Sequence, residues 1–406
     1  MSEGKTAKGA DPAAFRMLYE GRNLISERPV VVLDIGKAYT KCGFAGESGP
    51  RCIIPTEFQC KATGITLKVF DYKTPDQLFQ NLVDFVHILF FKYLLVTPKD
   101  RKVVIVESLL SPSIERDTLA KVLFNYYELA SVCLVPSHMV SLYTLAVPTA
   151  LVLDIGYKEA ILIPVVENTP VLHAYQALAF AGEAVENNLK KLLESQCKEE
   201  EQFYLKAKPL PSSTIEDIKV RGCFVTRLDR AQMIQASLKE PSVTAPKPPP
   251  ELVYPLGGER SITVPGTARE LAYEVLFELD NDLMSIATMI LDAILKCPVD
   301  TRVPLAENIV LIGGTSMALG LKARLQQELQ DLLVTPQYIK KLALKTFCFH
   351  SPPAKENYVA WLGGAIMGAT NSIVKRSVLK EDYQKLPKIP DWADLSFNCQ
   401  DSTKRG

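Results

Sequence analysis

The apolar positions of this chain fall into short, nearly continuous runs. Each is closed by glycine or a polar cluster, and longer stretches of helical period lie between them. "PVVVLDIG" (residues 29–36) is a β-branched run ended by glycine, the pattern of a strand buried on both faces. "KCGFAG" reads as its return strand. "QLFQNLVDFVHILFFKYLL" repeats apolar residues at helical spacing, "KVVIVES" (102–108) is another buried strand, and a helix is expected near 114–126. Strands alternating with helices predict an α/β sheet covered by helices.

At residue 151 the programme restarts. "LVLDIG" is a strand, "EAILIPVV" its hairpin partner and "VENNLKKLLESQ" a helix, so "VLDIG" occurs at 32–36 and again at 152–156. The pattern predicts an internal duplication in which each half opens with strand, turn and strand. Residues 197–266 are more polar and are expected to be less regular. They contain "KEEE" and "PSVTAPKPPP" (241–250), which reads as a stiff surface connector, with binding to an SH3 or WW groove as the other possibility. Helices return within 268–296. "NIVLIGGTS" is a strand running into a turn, followed by a helix from about Leu319, and "YVAWLGGAIMGA" (358–369) is a helix with small residues on one side, suited to close packing.

The three glycine turns carry the candidate chemistry. A buried strand ending in Asp-x-Gly places a carboxylate at the mouth of a sheet, and the glycine lets the next N–H point at a phosphate. Asp34 with Gly36, and Asp154 with Gly156, would grip a triphosphate from two sides, with Mg²⁺ held by the two aspartates through water. Gly313, Gly314, Thr315 and Met317 form a third turn against which a nucleotide could lie. One such turn alone is usually only a turn; two in corresponding positions plus G-G-T-S make a site. There is no Walker sequence and no G-x-S-x-G. His87, in an apolar helix, is expected to be a satisfied core residue, and His138, His173 and His350 have no partners at ligand spacing.

Composition narrows the classes further. Lysine plus arginine and aspartate plus glutamate are 46 each, which removes the electrostatic argument for nucleic acid or an anionic membrane. Nine cysteines without C-x-x-C fit scattered thiols in a reducing compartment rather than a disulfide framework or a zinc site. The longest apolar stretch, 82–96, carries Asp84, His87 and Lys92 and is too short to span a bilayer. The N-terminal residues lack a signal-peptide core. A soluble cytosolic protein with no membrane span is expected.

Several of these stretches together resemble the actin-related proteins. "VVLDIGKAYTKCGFAGESGPRCIIP" and "LVLDIGYKEAILIPVV" are similar to the family's two phosphate hairpins, "AFAGEAVENNLKKLL" to the segment after the second, and "IEDIKVRGCFV" to its adenosine-side helix. "CPVDTRVPLAENIVLIGGTSMALG" and "SPPAKENYVAWLGGAIMGA" are similar as well. The resemblance implies a duplicated actin-type ATPase fold, two lobes around a cleft that holds ATP or ADP with Mg. On that reading residues 1–28 are a disordered lead and 29–150 the first lobe. Residues 151–370 are the second lobe, with its upper subdomain at about 183–266, and 371–406 return to the first lobe as a tail. The implied nucleotide contacts are Asp34, Gly36, Lys37, Lys41, Asp154, Gly156, Gly182, Lys219, Gly313, Gly314, Thr315 and Met317.

The departures from the family pattern are as informative. Lys37 and Ala38 replace a serine and a glycine, and Lys37 could add a phosphate contact. Tyr157 and Lys158 replace small residues, and the second loop's second acid is gone. The family's water-orienting glutamine falls at Ser137, its nearby histidine at Ile161, the adenosine-side glutamate at Val220 and a stacking aromatic at Ala318. Loss of groups that orient water argues against hydrolysis, while the surviving glycines, aspartates and lysines argue for binding. The alternative is an empty, degenerate cleft. Only twenty residues separate Pro55 and Asp76, so the mobile loop subdomain expected within 56–76 is strongly shortened. The opposite, barbed-end edge, built partly from "ENIVLIGGTSMALG" and "YVAWLGGAIMGA", is expected to be intact. With the tail "DYQKLPKIPDW", this most resembles the family members at the pointed end of dynactin. That implies a hetero-oligomeric complex with the actin-related minifilament subunits and other pointed-end proteins, serving dynein-driven transport. A nuclear chromatin-remodelling member and an active actin-fold ATPase are the other readings.

Overall fold

The computed structural model describes residues 28–392, apart from 61–63, 241 and 259. The expected lead lies almost wholly outside the described residues, as does the end of the tail.

The first sheet grows from the apolar run at its start. β1 (Val31–Ile35) pairs antiparallel with β2 (Tyr39–Phe44), which pairs with β3 (Cys52–Pro55). β4 (Glu57–Gln59) and β5 (Thr66–Lys68) form a separate two-stranded hairpin. β6 (Lys102–Glu107) and β7 (Ser131–Pro136) extend the sheet in parallel with β1, giving the order β7-β6-β1-β2-β3 with a late strand added at the β7 edge. The second sheet repeats the plan: β8 (Ala150–Ile155) makes a hairpin with β9 (Ala160–Val166). Further along, β10 (Thr169–Pro170) and β11 (Gln176–Leu178) pair with β9, β12 (Leu252–Gly257) and β13 (Arg260–Val264) form their own hairpin, and β14 (Ile309–Ile312) runs parallel to β8. β15 (Val378–Leu379) returns to the edge of the first sheet.

Side-chain alternation makes the duplication physical. Val31 and Leu33 face one core and Val32 another; likewise Leu151 and Leu153 face one core and Val152 another. The inner faces, bearing Val32 and Val152, meet two helices between the sheets, Ser137–Tyr143 and Val359–Gly368. These helices approach so closely that a Cβ on Gly363 would lie 1.9 Å from the Val140 carbonyl oxygen, and one on Gly364 would lie 2.5 Å from Val106. Trp361 is fully buried and donates its indole N–H to the Val32 carbonyl at 3.1 Å. The small side of "YVAWLGGAIMGA" is therefore the packing seam against the first sheet and the helix Ser137–Tyr143.

Several expectations are corrected. The chain is back against the first sheet by Val359, ahead of the boundary expected at 371. The stretches read as an outer barbed-end edge are largely interior: β14 is buried, Gly313 and Gly314 line the cleft, and the helix Val359–Gly368 fills the space between sheets. Residues 197–266 are regular, with helices Glu199–Ala207, Ser212–Gly222 and Leu228–Lys239 and the β12–β13 hairpin. The helices are short and mostly exposed, and among the described side chains they bury only Leu205, Ile215 with Ile218, and Ala231 as apolar anchors, so the periodic signal is weak. The Pro-rich connector is docked: Arg230 donates to the Lys247 carbonyl at 2.7 Å, Arg269 donates to the Pro250 carbonyl, and Gly266 packs on Pro249. His87 is exposed on its helix, 4.6 Å ring to ring from Phe91; the buried histidine is His138.

Because Gly363 abuts backbone rather than a flexible side chain, Gly363→Ala should destabilise the protein by at least about 1–3 kcal/mol. Ile366→Ala, on the half-exposed side of the same helix, should stay within about 0.5 kcal/mol. Equilibrium urea unfolding of both variants checks the contrast; equal effects would remove the seam from this role.

Candidate functional site

The two hairpins, the Ile312–Met317 turn and residues from five helices line a cleft of about 560 Å³. Eleven of the twelve sequence-predicted contacts line it: Asp34, Gly36, Lys37, Lys41, Asp154, Gly156, Lys219, Gly313, Gly314, Thr315 and Met317. The twelfth, Gly182, lies just behind Thr315 and donates its N–H to the Gly156 carbonyl at 3.2 Å.

Both aspartates sit where β1 and β8 end, and each following turn is closed by a backbone bond. Gly36 N–H donates to the Tyr39 carbonyl at 3.2 Å, and Gly156 N–H to that of Glu159 at 3.1 Å. Strand register places Lys41 opposite Asp34, where they form a 3.0 Å ion pair. The corresponding partner of Asp154 is Ile161. The second carboxylate therefore lacks a cation of its own. Burial, with the charges of Asp34 and Glu159, raises its pKa to about 6, against the opposing pull of Lys41. Gly313 explains its own identity: at φ +92° it is in the left-handed region, and a Cβ would stand 2.4 Å from both the Asp154 carboxylate and the Ile155 carbonyl. Thr315 Oγ1 donates to the Gly156 carbonyl at 2.7 Å, locking the third turn onto the second hairpin.

The lysines are all engaged. Lys37 lies 2.5 Å from both Glu115 oxygens and over the Phe70 ring, rather than standing free for a phosphate. Buried Lys219 pairs with Glu186 at 2.7 Å, and Tyr157 donates to the same carboxylate at 3.0 Å. Lys158 reaches Glu183 at 2.5 Å. The bulky residues of the second turn thus point to acids on the helix Gly182–Gln196. Tyr39, from the first hairpin, donates to Glu216 of the second lobe at 2.9 Å and bridges the mouth. Glu115, Glu186, Glu216 and Tyr39 are the site residues that sequence reasoning missed; no spacing signal links partners so far apart in the chain.

Chemically, the cleft offers two carboxylates at the ends of facing hairpins, glycine turns that admit close approach, and four lysines. No cluster of three or more metal-ligating side chains exists among the described residues. Asp34 and Asp154 therefore fit a hard cation held mostly by water and phosphate oxygens rather than by a protein cage. The crowded, cation-poor surroundings of Asp154 are what such a cation would relieve. At the positions of water-orienting groups, Ser137 hydrogen bonds to His138 Nδ1 at 3.2 Å and Ile161 presents only hydrocarbon. His138 does not line the cleft; desolvation lowers its pKa to about 4, so it is neutral near pH 7.

The sequence profile of the Actin family matches residues 79–386. The match begins after the first hairpin, whose likeness to the second rests on strand register and geometry. The chain is 29% identical to Actin-related protein 10 of Dictyostelium discoideum, over 90% of this chain and 89% of that protein. It is 28% identical to Actin-related protein 2 of Arabidopsis thaliana, over 89% of this chain and 97% of the relative. With the two sheets, the paired glycine hairpins and the profile match over most of its length, the chain belongs to the actin family.

Proposed function

We propose that this chain is a structural subunit that caps the pointed end of the actin-related minifilament of dynactin, holding ATP or ADP with Mg²⁺ in its cleft without turning it over. The observation that carries the capping reading is the reduction of the loop subdomain to the hairpin β4–β5, two strands of three residues. A filament subunit needs a long loop there to receive its neighbour; a terminal subunit does not. The similarity to Actin-related protein 10 supports the same place. On this reading the partners are the minifilament subunits and the other pointed-end proteins, and the setting is cytoplasmic, in dynein-driven transport. No helix among the described residues is long and apolar enough to cross a membrane.

The nucleotide reading rests on the cleft. Asp34, Asp154 and Lys41 would hold the cation and phosphates, and the 313–317 turn the nucleoside. Bound nucleotide with Mg²⁺ would supply charge that cements the two lobes. At the two positions of the family's water-orienting groups the chain has Ser137, turned to His138, and apolar Ile161. The site is thereby suited to retention rather than turnover.

Isolation of the tagged chain from native cytosol should recover minifilament and pointed-end proteins of dynactin at near-equal stoichiometry in one large complex. Elution near its own mass, or with nuclear remodelling subunits, would overturn the assignment. A second expectation concerns Asp154. Its folded pKa lies above the ordinary 3.8, so the folded state binds the extra proton between about pH 4 and 6. Its contribution is most favourable below that window and declines as pH rises through it, by up to about 3 kcal/mol. Without nucleotide, Asp154→Asn should therefore raise stability at pH 7 and flatten the fall between pH 4 and 6. With Mg-ATP the wild type should gain stability that the variant largely lacks. Thermal melts across pH, with and without Mg-ATP, separate the two effects, and identical responses in both proteins would sink the cation role of Asp154.

A further inference from the structure

We propose that Cys42 and Cys52 are a redox modification site that closes reversibly to an intramolecular disulfide in exchange with glutathione disulfide. The two cysteines are direct partners in the β2–β3 ladder, and their sulfurs lie 3.0 Å apart. Directly opposed residues of an antiparallel pair have Cα separations within the range that a disulfide spans, so closure needs little backbone movement. Exposure divides the labour. Cys42 has no accessible surface, and burial, with the neighbouring Cys52 thiol, pushes its pKa far up. Cys52 is half-buried on the outer strand and is the thiol a small disulfide can reach.

The exchange balances in two steps. The Cys52 thiolate attacks glutathione disulfide, forming a mixed disulfide and releasing one glutathione. Cys42 then gives up its proton and attacks Cys52 Sγ, releasing the second. Two thiols and one glutathione disulfide become one protein disulfide and two glutathione thiols; excess thiol reverses it. The position gives closure a consequence. Cys42 follows Lys41, the partner of Asp34, and β3 leads into Thr56, whose hydroxyl donates to the Gly36 carbonyl at 2.7 Å. The bond would fasten the edge strand to the first hairpin, directly behind its turn. This inference stands whether or not the cleft holds nucleotide.

The test equilibrates the full chain in glutathione buffers of increasing oxidation, blocks free thiols with a maleimide, and maps linked peptides after trypsin. Cleavage after Lys41 and Arg51 places the two cysteines on peptides 42–51 and 52–61, with Cys60 on the second, so fragmentation must assign the sulfur. The expected result is a Cys42–Cys52 linkage that grows along the series, vanishes with excess thiol and raises Tm. Cys42→Ser should instead accumulate glutathione on Cys52, and Cys52→Ser should leave Cys42 unmodified. A wild-type pair that stays reduced throughout, stops at glutathionylated Cys52, or links Cys52 to Cys60 overturns the proposal.

Discussion

The packing on the inner face of the first sheet is set by backbone meeting backbone. Gly363 rests on the Val140 carbonyl, Gly364 rests between Val32 and Val106, and the Trp361 indole is tied to the Val32 carbonyl. Side chains repack when a methyl group is added; a carbonyl within a helix does not, so this seam defines a distance rather than a preference. Val32 lies two residues before Asp34 and Val152 two before Asp154. The helices that meet at this seam pack on Val32 on one side and on Val152 on the other, so they fill the space between the strands that carry the two carboxylates.

Around that seam buried ion pairs tie distant segments together. Arg116 grips Glu107 with two bonds and also reaches the Pro390 carbonyl, while Trp392 donates to Glu107. Arg324 does the same with Glu274 in the second lobe. Such buried pairs add little net stability over apolar packing, but breaking one leaves an uncompensated charge, so they fix which segments lie together. The first pair pins the C-terminal segment to the first lobe. In the cleft, Lys41, Lys37, Lys158 and Lys219 each have an acid partner, which leaves Asp154 as the group whose charge is least compensated.

What was legible in the sequence follows from what is local. The strands β1, β6, β8 and β14 are continuous apolar runs, and glycines after β1, β8 and β14 announce the turns, so the duplication and the residues Asp34, Gly36, Asp154, Gly156, Gly313, Gly314, Thr315 and Met317 could be read directly, whereas Lys37, Lys41 and Lys219 came from the family resemblance. The helix Val359–Gly368 was legible from its small residues, although its place between sheets was not. Partners chosen by tertiary packing left no trace in spacing: Lys37 and Glu115 are 78 residues apart, and Tyr39 and Glu216 are 177 apart. The helices Glu199–Ala207 and Leu228–Lys239 were missed because they bury few residues each, the helix Ser212–Gly222 was read only through the family's adenosine-side helix, and His87 was misplaced because an apolar segment still has a solvent face. Proline directly before the helix Ser212–Gly222 was an available start signal.

The two ways in which this chain departs from the family pattern have different physical weight. Replacing Gln and His equivalents by Ser137 and Ile161 removes water-orienting groups while leaving the hairpins, the seam and Gly313 intact, so it alters what the cleft can do and not whether it exists. Shortening the loop to β4–β5 removes surface that lay beyond the core altogether. β3 ends in Pro55, and the Thr56 amide and hydroxyl turn back to the Ala38 and Gly36 carbonyls at 2.8 and 2.7 Å, so the hairpin is anchored at its root to the first phosphate turn. What remains of the loop subdomain is therefore tied at its root to the cleft. A chain altered in this way keeps the paired hairpins, the third glycine turn and the glycine seam that make it an actin-like body.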